Sequence, residues 1–131
     1  MSDTASVTPV LRRRLEQSRE YFQTGGTRDI RFRKMQLRRL MEAIKLREEE
    51  IIEALHADLG KSPFESYASE IGVLYKEIRF VRRHLRRWAT RHRVPSPLVT
   101  FPSRSFIVPE PLGVALILLP WNYPFQLAVL P

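Results

Sequence analysis

The sequence predicts an α/β chain in which a layer of helices leads into the first strand of a parallel sheet. Three observations carry this reading. Apolar residues recur at helical spacing over most of residues 8–94, a short strand pattern bounded by prolines lies within 101–110, and an uninterrupted apolar run, 114–119, follows Gly113.

The helical part opens at Thr8-Pro9, where a hydroxyl caps free N–H groups and the proline lacks a donor that would be idle anyway. Leu11, Leu15, Ser18 and Phe22 then share one face, and Gly25-Gly26 offers a left-handed stop. Beyond Asp29, Leu37, Leu40, Met41 and Ile44 recur at helical spacing, and Ile51, Ile52, Leu55 and Leu59 continue in nearly the same phase. Periodicity alone permits one helix here. Glu48-Glu49-Glu50, however, suits the positive end of a new one, so a break is predicted near Leu46-Arg47. Ser62-Pro63-Phe64-Glu65 fits a capping box. The helix it starts carries Phe64, Tyr67, Ile71, Leu74, Ile78, Val81, Leu85 and Trp88 as an apolar stripe, with Arg79, Arg82, Arg83, Arg86 and Arg87 opposite. Such a stripe is core packing. Pro95 and Pro97 close the helical half.

Residues 105–108 read as a short strand stopped by Pro109 and Pro111. The run 114–119, bounded by Gly113 and Pro120, has the length and flanks of a strand buried on both faces. Segment 113–131 is therefore a sheet strand followed by a loop.

Composition narrows the function. A chain of 131 residues, 44% hydrophobic and 27% charged, allows one ordinary domain and excludes a disordered or low-complexity class. With no cysteine it has no disulfide scaffold, thiolate metal site or thiol nucleophile. Net charge is +8, supplied mostly by arginine, and reads as solvated helix faces. No recognisable nucleic-acid-binding module accompanies the basic clusters, so no specific nucleic-acid partner is expected. His56, His84 and His92 lie at no metal-ligand spacing, and no metal is expected. The short polar N-terminus lacks a signal-peptide core, which makes a cytoplasmic location the default. Residues 111–131 carry no charge and are long enough to span a bilayer, but Pro111, Pro120, Pro124, Pro131, Asn122 and Gln126 argue against it. A basic helical protein attached to a membrane by this segment stays as the alternative.

The chemistry-bearing stretch is Glu110-Pro111-Leu112-Gly113-Val114, then Leu118-Leu119-Pro120-Trp121-Asn122-Tyr123-Pro124-Phe125. It is a strand ending abruptly in a loop with an amide at its tip, and open α/β sheets bind ligands beyond the carboxyl ends of their strands. An amide fixed between prolines and an indole is a preorganised donor for an oxyanion. On spacing alone, a plain turn residue is the commoner explanation.

These residues reverse that weighting by resemblance. Pro120-Trp121-Asn122-Tyr123-Pro124 after an EPLGV-type strand resembles the aldehyde dehydrogenase superfamily. Ala54-Leu55-His56-Ala57-Asp58-Leu59-Gly60-Lys61-Ser62, Glu70-Ile71-Gly72 and the stripe ending at Trp88 are similar to its class 3 branch. The likeness covers about 10–131. It implies the N-terminal portion of a Rossmann-like domain that binds NAD or NADP, truncated before its remaining strands. It implies an aldehyde substrate, a homodimer when complete, and no membrane partner. Asn122 matches the family's oxyanion asparagine. Leu118, Leu119, Pro120 and Trp121 match the segment lining the nicotinamide end of the cofactor site, and Tyr123 matches an aromatic position near the substrate funnel. Residues 105–108 would belong to a small oligomerisation element. The nucleophilic cysteine, the general base and the glycine-rich turn would lie beyond residue 131, so the chain alone is expected to be inactive. The helical stripes are also expected to hold together without 113–131.

Overall fold

The computed structural model describes residues 4–131, with side chains from Pro9 onward. In order, its elements are α1 (Thr4–Gln23), α2 (Ile30–Leu46), α3 (Glu48–Leu59), α4 (Pro63–Ser66), a π turn (Tyr67–Ile71) and α5 (Gly72–Ala89). Then follow β1 (His92–Val94), β2 (Ser105–Ile107) and α6 (Pro124–Val129). The described chain divides into two compact units, one built from residues 4–32 and 85–115, the other from 33–84 and 116–131.

In the first unit α1 begins at Thr4, so the predicted start at Thr8-Pro9 is corrected; the side chain of Thr8 lies outside the described set. Pro9 is the sixth residue of the helix, past its first turn, so the N–H it lacks removes one bond to the carbonyl four residues back. The chain turns at Gly25 (φ 75°), whose N–H bonds the Phe22 carbonyl at 3.0 Å. Asp29 then caps the next helix, accepting from the N–H groups of Arg31 (3.0 Å) and Phe32 (3.4 Å). The helical part ends at Ala89, not at 94, because 92–94 is extended and pairs antiparallel with β2, His92 opposite Ile107 and Val94 opposite Ser105. Pro95 and Pro97 favour this by pushing the residues before them out of helical backbone. The Ser96 hydroxyl accepts from the Ser105 N–H at 3.0 Å and steadies the pair.

The second unit holds a core of Ile44, Ile71, Leu74, Tyr75 and Ile78, with Leu37, Met41, Ile51, Ile52, Phe125 and Val129 packed against it. The break at Leu46-Arg47 is present: α2 ends at Leu46, and α3 starts at Glu48 with three glutamates in its first turn. Ser62 caps α4, its Oγ accepting from the Glu65 N–H at 3.2 Å. The stripe on the following helix differs from expectation at both ends, since Trp88 at its close is exposed. Phe64 and Tyr67 are exposed, whereas Ser66 and Glu70 are buried beside Ile71 and Leu74. The π turn causes this: one extra residue per turn moves the buried position from 67 to 66.

The run 114–119 also departs from the expected strand. It forms no strand and is largely exposed, with Leu116 and Leu118 among the most exposed apolar side chains. A strand exists only through its partners. Among the described residues the ladder consists of β1 and β2 alone, and nothing pairs with 114–119.

The Tyr75 hydroxyl donates to Glu48 Oε2 at 2.6 Å, and burial, reinforced by this bond, pushes its phenol above the ordinary value. Stability from a raised phenol is fully present below the unfolded value of about 10 and is lost as pH rises through the folded one. Urea midpoints should therefore fall as pH rises above about 10, and Tyr75→Phe should flatten that decline. A second outcome concerns 113–131. Phe125 and Val129 are half-buried and pack against the core, so deleting the segment should cost on the order of 2–4 kcal/mol of apolar burial. Thermal melts followed by circular dichroism should show a lower midpoint, contrary to the expectation from the helical stripes alone.

Candidate active-site loop

The amide-bearing loop is held from beneath by a buried ion pair. Lys61 (7% exposed) and Glu70 (0%) meet through Nζ and Oε1. Both residues belong to the second unit, as do all the groups they touch.

Local sequence turns Lys61 inward. Gly60 ends α3 in the left-handed region (φ 67°), with its N–H on the His56 carbonyl at 2.8 Å. A residue with a Cβ would be strained at that angle. His56 Nδ1 lies 3.0 Å from the Lys61 carbonyl, and since a carbonyl only accepts, the ring nitrogen donates. Ser62 and Pro63 then start α4 at once. The π turn brings Glu70 to the same place from the other side. Its i+5 bond runs from the Gly72 N–H to the Tyr67 carbonyl, and a Cβ on Gly72 would crowd that oxygen at 3.0 Å, so glycine eases the close approach.

The pair grips the loop by its main chain. Lys61 Nζ donates to the Asn122 carbonyl at 3.0 Å. Glu70 Oε2 accepts the N–H groups of Phe125 (2.9 Å) and Gln126 (3.2 Å), which open α6. The ammonium also lies 4.3 Å from the centre of the Tyr123 ring. One buried carboxylate thus accepts from the start of a helix while its counter-ion holds the residue two before it.

The sequence-assigned residues sit on the outer side of this support. Asn122 is exposed, and its side-chain amide takes no part in the network. Leu118 (86% exposed), Pro120 and Trp121 (84%) form an apolar stretch leading into the loop, with Leu119 half-buried. Tyr123 is placed against Lys61. Lys61 and Glu70 were given no role by sequence reasoning; a lysine and an acid nine positions apart on polar helix ends read as surface charges. Gly60, which ends α3, was the available signal. Among the described residues no three His, Cys, Asp or Glu side chains gather to hold a metal, and no helix is long and apolar enough to cross a membrane. Segment 111–131, the candidate span, contains one six-residue helix.

A sequence model of the aldehyde dehydrogenase family matches residues 8–131. The chain belongs to that family. It is 45% identical over 122 residues to the 4,4'-diaponeurosporen-aldehyde dehydrogenase of Staphylococcus aureus, covering 93% of this chain and 27% of that protein. It is 41% identical over 118 residues to aldehyde dehydrogenase family 3 member B1 of Rattus norvegicus, covering 90% of this chain and 25% of the relative. A solved structure, the substrate-bound state of Staphylococcus aureus AldH, superposes with a TM-score of 0.87 at 45% identity, over 91% of this chain and 26% of that one. The chain thus spans about a quarter of the length of these relatives.

Glu70→Ala tests the support directly. It leaves Lys61 charged and buried and frees two N–H groups at the start of α6. Removing one partner of a buried pair costs about 3–5 kcal/mol. Denaturant unfolding should show a loss of that order, with the tryptophan fluorescence of Trp121 and Trp88 reporting the change.

Proposed function

We propose that this chain is the N-terminal segment of an NAD(P)-dependent aldehyde dehydrogenase, in which Asn122 stabilises the oxyanion formed when a nucleophile attacks the aldehyde carbonyl. The observation that carries this is the disposition of Asn122. Its main chain is anchored to a buried lysine while its amide stays exposed and uncommitted at the tip of the loop. A donor aimed at developing charge must be fixed beforehand and must have a free N–H. Asn122 presents the free N–H on a main chain that is already held.

The residues leading into the loop fit the cofactor proposed for the family. Leu118, Pro120 and Trp121 are exposed and apolar, and a flat nicotinamide ring needs such a surface beside the reacting carbon. NAD(P), when bound, accepts the hydride from the substrate. In that arrangement Leu118, Leu119, Pro120 and Trp121 orient the ring and keep water from it, and Tyr123 borders the path of the aldehyde. The product is a carboxylate. The thiol and the general base are supplied from outside this chain, which has no cysteine. β2, with Phe106 and Ile107 partly exposed on a two-stranded ladder, supports a role in pairing two copies as a homodimer. The reading carries a cytoplasmic enzyme with no membrane partner.

In the complete enzyme, Asn122→Ala should lower kcat by on the order of 10²–10³-fold, with little change in KM or cofactor affinity, because the charge it meets exists mainly in the transition state. Trp121→Ala should weaken cofactor binding together with rate. Steady-state kinetics and fluorescence titration of the cofactor check both, with residues 1–131 alone as the inactive control. A near-normal kcat for Asn122→Ala would return that residue to the role of a turn.

A further inference from the structure

We propose that Lys61 and Glu70 are positioning residues for the oxyanion donor, so that the buried pair sets the rate of the chemical step through the placement of Asn122 and not only the stability of the fold. This rests on the assignment of Asn122 above.

The three protons of the Lys61 ammonium face Glu70 Oε1, the Asn122 carbonyl at 3.0 Å and the Tyr123 ring at 4.3 Å, so both loop contacts fall on Asn122 and the residue next to it. The anchored atom is in the same residue as the proposed catalytic amide, and the carbonyl carbon is separated from Cβ by one atom. A shift of the carbonyl therefore moves the amide with it. On the other side, Glu70 fixes Phe125 and Gln126, three and four residues further on. Only Tyr123 and Pro124 intervene, and the proline ring restricts one of them. The loop is thus clamped at both ends by a single charge pair.

Other elements do not offer an equivalent clamp. The six-residue α6 is too short to hold itself in place, and 114–119 has no ladder partner among the described residues. Burial also makes the pair rigid: Lys61 is tied to His56 through its own carbonyl at 3.0 Å, and Glu70 lies within the π turn. Displacing a catalytic group by about 1 Å from outside the reacting centre can cost about 10²-fold in rate. Loss of the lysine should act through that route.

The test is a double-mutant cycle in the complete enzyme. Lys61→Met keeps the apolar stem and removes the ammonium. It should lower kcat by about 10–100-fold with KM within about twofold, as a mispositioned transition-state donor does. In an Asn122→Ala background the same substitution should change kcat by less than about twofold, since no donor is left to misplace. Thermal stability should fall equally in both backgrounds, which separates positioning from folding. Should Lys61→Met be insoluble, Lys61→Met/Glu70→Leu replaces the whole pair with apolar groups, a change that buried pairs often tolerate in stability. That variant should melt near the parent yet show the same background-dependent loss of kcat.

A drop in kcat of equal size in both backgrounds, or near-parental kcat in a folded Lys61 variant, would overturn the proposal while leaving Asn122 as the donor. A normal kcat for Asn122→Ala alone would sink the assignment on which the proposal rests. The two failures are therefore distinct.

Discussion

The arrangement around residue 122 depends on one buried lysine–carboxylate pair. Removing two such charges from water costs several kcal/mol per ion, and attraction between them repays this only when the remaining protons and lone pairs are also satisfied. Here they are. Lys61 adds a carbonyl and an aromatic face to its carboxylate, and the second oxygen of Glu70 takes two backbone donors. Apolar residues of similar volume often replace a buried pair at little cost, but here they would leave a carbonyl and two N–H groups without these partners. The pair is better explained by the geometry it fixes than by the energy it adds.

That geometry is written in a short stretch of chain. Residues 56–72 contain the histidine that ties down the Lys61 carbonyl, the glycine that turns the chain, the serine cap and the glycine that admits the π turn. Each acts locally, within a few residues of its neighbour. The contacts to the loop are the long-range step, joining position 61 to 122 and 123 and position 70 to 125 and 126. Local bonds build the clamp and a single distant segment is captured by it, which is an economical way to fix a loop with little structure of its own.

The same division explains what could be read from the sequence. The helix break at Leu46-Arg47 and the Ser62 cap were legible because each depends on residues within one turn. The central face of α5, with Ile71, Leu74 and Ile78, followed from helical spacing. Phe64 and Tyr67 did not, because spacing assumes an uninterrupted α-helix and the π turn inserts a residue. The pairing of 92–94 with 105–107 and the unpaired state of 114–119 depend on partners distant in sequence, which no periodicity reports. Trp121, Asn122 and Tyr123 were legible as a motif, but not as a loop gripped from below, since Lys61 and Glu70 look like any solvated charges until their burial is known.

The grip has a consequence for how the loop can carry chemistry. Three of the four bonds between the pair and the loop go to main-chain atoms, namely the Asn122 carbonyl and the Phe125 and Gln126 N–H groups, and only the ring of Tyr123 offers a side chain. Every residue except proline presents those backbone groups. The path of the loop is therefore independent of the side chains at 121 and 122, which stay exposed. Support and chemistry are carried by different atoms of the same residue. A side chain at the tip can serve a reaction without also being needed to hold the tip in place, and a substitution there reports on the reaction rather than on the fold.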